Sequence, residues 1–71
     1  MNIEKLRCFK TVAETKHLTH AAESLFMSQP ALSKLMASLE SELNISLYEK
    51  EGRNIVLTEA GKVFYPHVVT A

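Results

Sequence analysis

The stretch SQPALSKLMASLESELN, Ser28 to Asn44, decides how this chain is read. Ser28 is a strong N-cap, and Pro30 behind it sits in the first helical turn, where a missing N–H leaves no bond unmade. Leu32, Leu35, Met36, Leu39 and Leu43 follow at i, i+3, i+4, i+7 and i+11, one continuous apolar stripe along a helix. Asn44 tolerates the left-handed conformation that closes a helix. With Leu32 at the centre of the stripe, Pro30, Ser33, Lys34, Ala37, Ser38 and Ser41 fall on the opposite side, and Gln29 stands at the exposed first turn. A helix built for solvent alone favours long charged residues there. Ser, Ala and Pro instead leave a wall thin enough for another macromolecule to approach the backbone.

Upstream, Ile3, Leu6, Phe9, Val12 and Ala13 recur at helical spacing and predict a helix from about Asn2 to Thr15. Lys16, His17 and Leu18 interrupt that pattern, and Thr19 is the expected N-cap of a short second helix through about Phe26. Ala21 and Ala22 lack bulk and let another helix pack closely at this turn, with Leu25 as the larger apolar contact. Downstream, the β-favouring runs Leu47 to Lys50 and Ile55 to Leu57 flank Glu51, Gly52, Arg53 and Asn54, which reads as a β-hairpin. Thr58 then caps a last helix in which Ala60, Val63, Phe64, His67, Val68 and Ala71 share a side. Pro66 inside it removes the bond to the Lys62 carbonyl, so a kink or an early end is expected there. The last helix reads as cut off rather than finished. The fold class is mainly α: a winged helix-turn-helix with a three-helix core and a β-hairpin wing.

At 71 residues and 8.0 kDa the chain holds one small domain, which excludes most enzymes. Such a domain buries only roughly 60% of the surface its unfolded chain exposes, so a partner surface is expected. Eight Lys plus Arg balance eight Glu, for a formal net charge of zero, so net charge alone does not announce nucleic acid. The single cysteine, Cys8, forms no internal disulfide, which suits a reducing cytoplasm. The longest apolar runs are a few residues, and Met1 to Lys5 carries charge where a signal peptide needs its apolar stretch. Neither an export signal nor a membrane span is read.

Catalytic, metal and cofactor chemistry find no support in the pattern. Cys8 lies beside core positions, where thiols are usually inert packing. His17 and His20 are three apart, yet no Cys or Asp at ligand spacing completes a site. Glu40 and Glu42 face different directions on a helix, and Gly52 and Gly61, the only glycines, make no phosphate loop.

The thin wall of the third helix offers a different chemistry. Gln29 can pair bidentately with an adenine edge, the Ser28 and Ser33 hydroxyls can reach a phosphate or a base, and Lys34 can neutralise a phosphate or address guanine. Arg53 at the hairpin tip can enter a minor groove, and Lys50 can add a backbone contact. Each also has a plainer reading. Ser28 is then only a cap, Pro30 a first-turn proline, Ser33 and Lys34 solvated positions, and Arg53 an exposed turn residue. A competing use of the same architecture is contact with another polypeptide.

The chain resembles the N-terminal DNA-binding domain of LysR-type transcriptional regulators. The matching residues are Leu6, Arg7 and Phe9; Val12, Ala13 and Glu14; Leu18, Thr19, Ala21, Ala22 and Leu25; the run Ser28 to Ser33; Leu39, Glu40, Leu43 and Leu47; and Leu57 to Gly61. The resemblance implies sequence-specific binding of double-stranded DNA, with a recognition helix from Ser28 in the major groove and the wing tip near Arg53 at the minor groove. The implied DNA contacts are Thr19, Ser28, Gln29, Pro30, Ser33, Lys34, Lys50 and Arg53. It further implies a DNA-binding domain over residues 1–58 and the start of a linker helix over 59–71. Through that helix Val63, Phe64, His67 and Val68 would pair two copies on an inverted-repeat operator. A small-molecule effector would act only through a C-terminal domain that these residues do not include. Several positions depart from the family pattern: Lys34 and Lys50 stand where Arg is usual, Leu35 where a polar residue is usual, Ala37 and Ser38 where basic residues are frequent, and Asn44 where Gly is usual. His17 and His20 occupy positions more often small or basic. Fewer cations imply modest non-specific affinity, since each lost phosphate contact lowers the log–log salt slope by about 0.9.

Overall fold

The computed structural model describes residues 2–70; Met1 and Ala71, the latter expected on the apolar side of the last helix, lie outside the described residues. In chain order the elements are α1 (Ile3–Thr15), α2 (Leu18–Ser24), α3 (Gln29–Leu43), β1 (Tyr48–Glu51), β2 (Asn54–Leu57) and α4 (Glu59–Thr70). This is a winged helix-turn-helix, with a three-helix core, a two-stranded antiparallel wing and a fourth helix laid against α1.

Asn2 caps α1, its Oδ1 accepting from the Lys5 N–H at 2.9 Å. The helix ends on Lys16 in the left-handed region at φ 58, whose N–H donates to the Val12 carbonyl. Cys8, Phe9, Val12 and Ala13 are buried, whereas Ile3, periodic with them, remains 72% exposed. Periodicity identifies a face but not how far neighbouring elements extend over it. Burial pushes the Cys8 thiol above its ordinary pKa, in keeping with an inert packing role.

The second helix corrects the sequence reading. Its N-cap is His17, whose Nδ1 accepts from the His20 N–H at 3.3 Å, and not Thr19, which lies inside the first turn. Leu18, assigned to the break, is buried and opens the helix. An imidazole nitrogen lone pair does here what capping preferences assign to a hydroxyl. The helix also stops at Ser24 rather than near Phe26. Phe26 adopts φ 58 and donates to the Glu23 carbonyl, while the Met27 N–H donates to the Ala22 carbonyl, the two bonds of a Schellman closure. A matching pair closes α3, from Asn44 to Ser41 and from Ile45 to Glu40, with Asn44 also at φ 58.

On α3 the expected cap and stripe are present. Ser28 Oγ accepts from the Ala31 N–H at 3.2 Å, Leu32, Met36 and Leu39 are fully buried, and Leu35 and Leu43 pack at the edge of the core. The wing starts one residue later than expected and its second strand one earlier. Tyr48 pairs with Leu57, Lys50 with Ile55 and Glu51 with Asn54. Gly52 and Arg53 form the two-residue turn, and Gly52 supplies the positive φ of 63 at its first position.

Thr58 caps α4, its Oγ1 accepting from the Gly61 N–H at 3.0 Å while its hydroxyl donates to the Ser46 carbonyl at 2.6 Å. Of the kink or early end expected at Pro66, the early end does not occur, and the helix continues to Thr70. Pro66 lies on the exposed side, where water can satisfy the carbonyl that loses its donor. The side facing the core is Gly61, Phe64, Tyr65 and Val68. Phe64 packs on Phe9 at 5.5 Å between ring centroids, and the Tyr65 hydroxyl donates to Glu14 Oε2 at 2.6 Å.

Two outcomes follow from the α4 contact. A Cβ at Gly61 would overlap the Leu47 carbonyl oxygen, a backbone atom that cannot swing aside, so Gly61→Ala should lower stability by about 1–3 kcal/mol in urea unfolding. The hydrogen bond to Glu14 holds the Tyr65 phenol above its ordinary pKa of about 10. A proton held more tightly in the folded chain stabilises the fold below that ordinary value, and the gain disappears as pH rises through the raised one. Tyr65→Phe should therefore lose less stability than the parent between neutral and strongly alkaline pH. Burial raises the Tyr48 phenol in both proteins, so the difference between them isolates Tyr65.

Candidate nucleic-acid interface

Leu18, Thr19, Gln29, Lys50, Gly52, Arg53 and Asn54 line a cleft of about 200 Å³ between the start of α2, the start of α3 and the wing. Four residues singled out from the sequence, Thr19, Gln29, Lys50 and Arg53, meet in it although they are spread over three elements. A main-chain bridge holds the wing at this distance. The Ile55 N–H donates to the Lys16 carbonyl at 3.0 Å, and His17 and Asn54 form an isolated antiparallel bridge. Stacking supports the same corner, with the His17 and His20 rings 3.9 Å apart between centroids and 16° from parallel. Nδ1 of His17 is occupied by the cap, and the rings face one another rather than converging on a common point.

Ser28, Pro30 and Lys34 are exposed along the outer wall of α3, beside the cleft rather than in it. Ser33 is half-buried, and its Oγ accepts from Gln29 Nε2 at 2.9 Å. Ser38 departs from the expected wall. It is half-buried and accepts from Lys5 Nζ at 2.9 Å, because the long Lys5 side chain reaches across from α1 and also pairs with Glu42 at 3.1 Å. The exposed wall is therefore Pro30, Lys34, Ala37 and Ser41, with Ala31 also exposed.

Charge is sorted across the molecule. Among the described residues Lys5, Lys10 and Lys62 pair with Glu42, Glu14 and Glu59, all away from the cleft. Lys34, Lys50 and Arg53 form no ion pair among the described residues, and neither do the exposed Arg7 and Lys16 of α1 and its cap. Glu40 sits near the end of α3, and its Oε2 accepts from the Leu47 N–H at 2.7 Å, which fastens the approach to the wing. Sequence reading weighed that carboxylate only as an acid–base candidate and as a position matching the family. It also missed Asn54 and Leu18 as lining residues, for which the composition of the turn and the helical spacing were the available signals.

The four residues selected on the last helix do not stay together. Phe64 and Val68 pack on the core, while Val63 is 66% exposed and His67 is also exposed. Ile3, Leu6, Arg7, Lys10, Val68 and Val69 line a second, more apolar groove between α1 and α4. Among the described residues no helix is long and apolar enough to cross a membrane.

A small helical corner, an N-terminally exposed helix with a thin outer wall and a hairpin carrying unpaired cations define a winged helix-turn-helix domain of the DNA-binding kind. Residues 3–62 match the family described as "Bacterial regulatory helix-turn-helix protein, lysR family", and the chain belongs to that family. It is 51% identical over 71 residues to the transcriptional dual regulator GltC of Bacillus subtilis, covering 100% of this chain and 24% of that protein. It is 52% identical over 62 residues to a probable RuBisCO transcriptional regulator of Trieres chinensis, covering 87% of this chain and 20% of that one. The chain thus spans a quarter or less of the length of these relatives. The DNA-binding domain of CbnR, solved in complex with DNA, superposes with a TM-score of 0.94 at 36% identity, covering 99% of this chain and 80% of that one. The family is one of regulatory helix-turn-helix proteins and not of enzymes, and this chain carries its sequence-specific DNA-binding domain.

The cap at the start of α2 can be tested on the isolated domain. His17→Ala should cost about 1 kcal/mol in chemical denaturation. His17→Asn, which keeps a capping acceptor, should recover most of that loss.

Proposed function

We propose that the domain seats α3 in the major groove of double-stranded DNA with Ser28, Gln29, Pro30, Ser33 and Lys34 toward the duplex, and brings Lys50 and Arg53 to the adjacent backbone and minor groove. Thr19, at the start of α2, adds a contact at the cleft edge. The observation that carries this reading is the cleft in which Thr19, Gln29, Lys50 and Arg53 converge, with Lys34 exposed beside it. Phosphate contacts by Lys34 and Lys50 supply position, and Gln29, with Ser33 beside it, supplies the base-edge groups that discriminate sequence.

The domain works as one of two copies on an inverted-repeat operator in the cytoplasm, regulates transcription and has no catalytic role. Residues 1–58 form the DNA-binding unit, and α4 begins a linker helix through which the copies pair. Exposed Val63 and His67 support this pairing, and so do Ile3 and Val69 at the rim of the apolar groove. Phe64 and Val68 contribute by anchoring that helix to α1. Effector control would reside in parts of a longer regulator beyond these residues.

A gel-shift titration across salt concentrations, on duplexes enriched by the domain and on scrambled ones, tests the reading. The enriched duplexes should bind more tightly, and duplexes with two half-sites should recruit two copies. Lys34→Ala should weaken binding to both classes alike and reduce the log–log salt slope by about 0.9. Equal affinity for enriched and scrambled duplexes, or binding indifferent to salt, would favour a polypeptide partner instead.

A further inference from the structure

We propose that Ser33 is a positioning residue that makes Gln29 a reader of adenine rather than of guanine. The inference rests on the reading that α3 lies in the major groove, and it concerns which base that groove must offer. Gln29 is the first residue of α3, and Ser33 stands one turn later on the same side. The Gln29 amide gives one of its two Nε2 hydrogens to Ser33 Oγ at 2.9 Å, and both side chains are half-buried where they meet.

That bond changes what the amide can say. A free glutamine amide presents two donors on nitrogen and an acceptor on oxygen, and rotation by half a turn about its last bond exchanges them. With one N–H committed to Ser33, a single N–H and the carbonyl oxygen remain. Adenine offers the complement in the major groove, an acceptor at N7 and a donor at N6. Guanine offers two acceptors, N7 and O6. An amide with one free N–H cannot serve both, and its carbonyl oxygen would face O6 lone pair to lone pair. Gln29 also lines the cleft with Arg53 and Lys50, whose contacts to the backbone hold the register of the helix. The base opposite Gln29 is then set by the orientation of its amide, and Ser33 sets that orientation.

The test is selection from a pool of randomised duplexes with the 71-residue domain and its variants, followed by affinity measurements on single-base substitutions. The parent should enrich adenine at one position per half-site, and Gln29→Ala should erase that preference and so identify the position. Ser33→Ala should lower the adenine-over-guanine ratio there by on the order of tenfold, a larger change than at any other position of the half-site. Ser33→Thr keeps a hydroxyl at the same place and should restore the ratio. Alanine is the better helix former, so the Ser33→Ala domain keeps its fold. Three results would overturn the proposal: an undiminished ratio in Ser33→Ala, a uniform loss at every position, or parental preference for guanine opposite Gln29, which would mean that the hydroxyl donates to the amide oxygen. A parent that enriches no sequence would overturn the DNA reading itself, and the proposal with it.

Discussion

The main chain of Leu47 is where the separate parts of the molecule are tied together. Its N–H donates to the Glu40 carboxylate at the end of α3, its carbonyl accepts from the Thr58 N–H at the start of α4, and its side chain is fully buried. Gly61 lies so close to the same carbonyl that no side chain fits between them. Thr58 completes the joint by donating to the Ser46 carbonyl. These bonds fix the departure of the wing from α3 and the return of the chain into α4 within a few residues. A buried backbone group without its partner costs free energy comparable to a lost hydrogen bond, so the joint has little freedom to rearrange. The distance between the wing tip and the start of α3, and hence the cleft, depends on it.

A second fastening holds the other end of the wing. Ile55 bonds to Lys16, and His17 bridges to Asn54, at the corner where His17 also caps α2. The wing is thus anchored by main-chain contacts at both ends, while Gly52 and Arg53 project freely between them. A two-stranded hairpin is marginal by itself in water, and here the surrounding core supplies the stability that it lacks. This fastening sets where the wing tip stands relative to the start of α3, the geometry on which the proposed contacts of Arg53 and Lys50 with a duplex depend.

Neutral net charge is compatible with a polyanionic partner because of how the charges are distributed. Pairing of Lys5, Lys10 and Lys62 with glutamates removes much of their outward field, while Lys34, Lys50 and Arg53 keep theirs. Exposed ion pairs contribute little to stability, so their effect here is mainly on the shape of the field. With few phosphate contacts available, base-edge groups such as the proposed Gln29–Ser33 pair would carry a larger share of the binding free energy than they would on a strongly basic helix.

The sequence by itself determined the elements whose signals are local: the Ser28 cap, the apolar stripe from Leu32 to Leu43, the closure at Asn44, the glycine turn at Gly52 and the Thr58 cap. Each depends on interactions within a turn or two of the chain, and those are written in spacing and residue type. Gln29 was legible as a candidate from its place in the exposed first turn of α3, and Lys50 and Arg53 from the β-favouring runs and glycine turn that mark the hairpin. The His17 cap is local as well, its partner His20 lying three residues on, but an imidazole acceptor is not what capping preferences assign. Tertiary structure alone decided that Lys5 draws Ser38 out of the exposed wall of α3, that Phe64 and Val68 pack inward while Val63 and Ile3 remain outside, and that α4 passes through Pro66. In each case the deciding partner, or the solvent exposure that removes the need for one, is set by how distant segments pack. Spacing along the chain carries no record of which neighbour arrives from elsewhere.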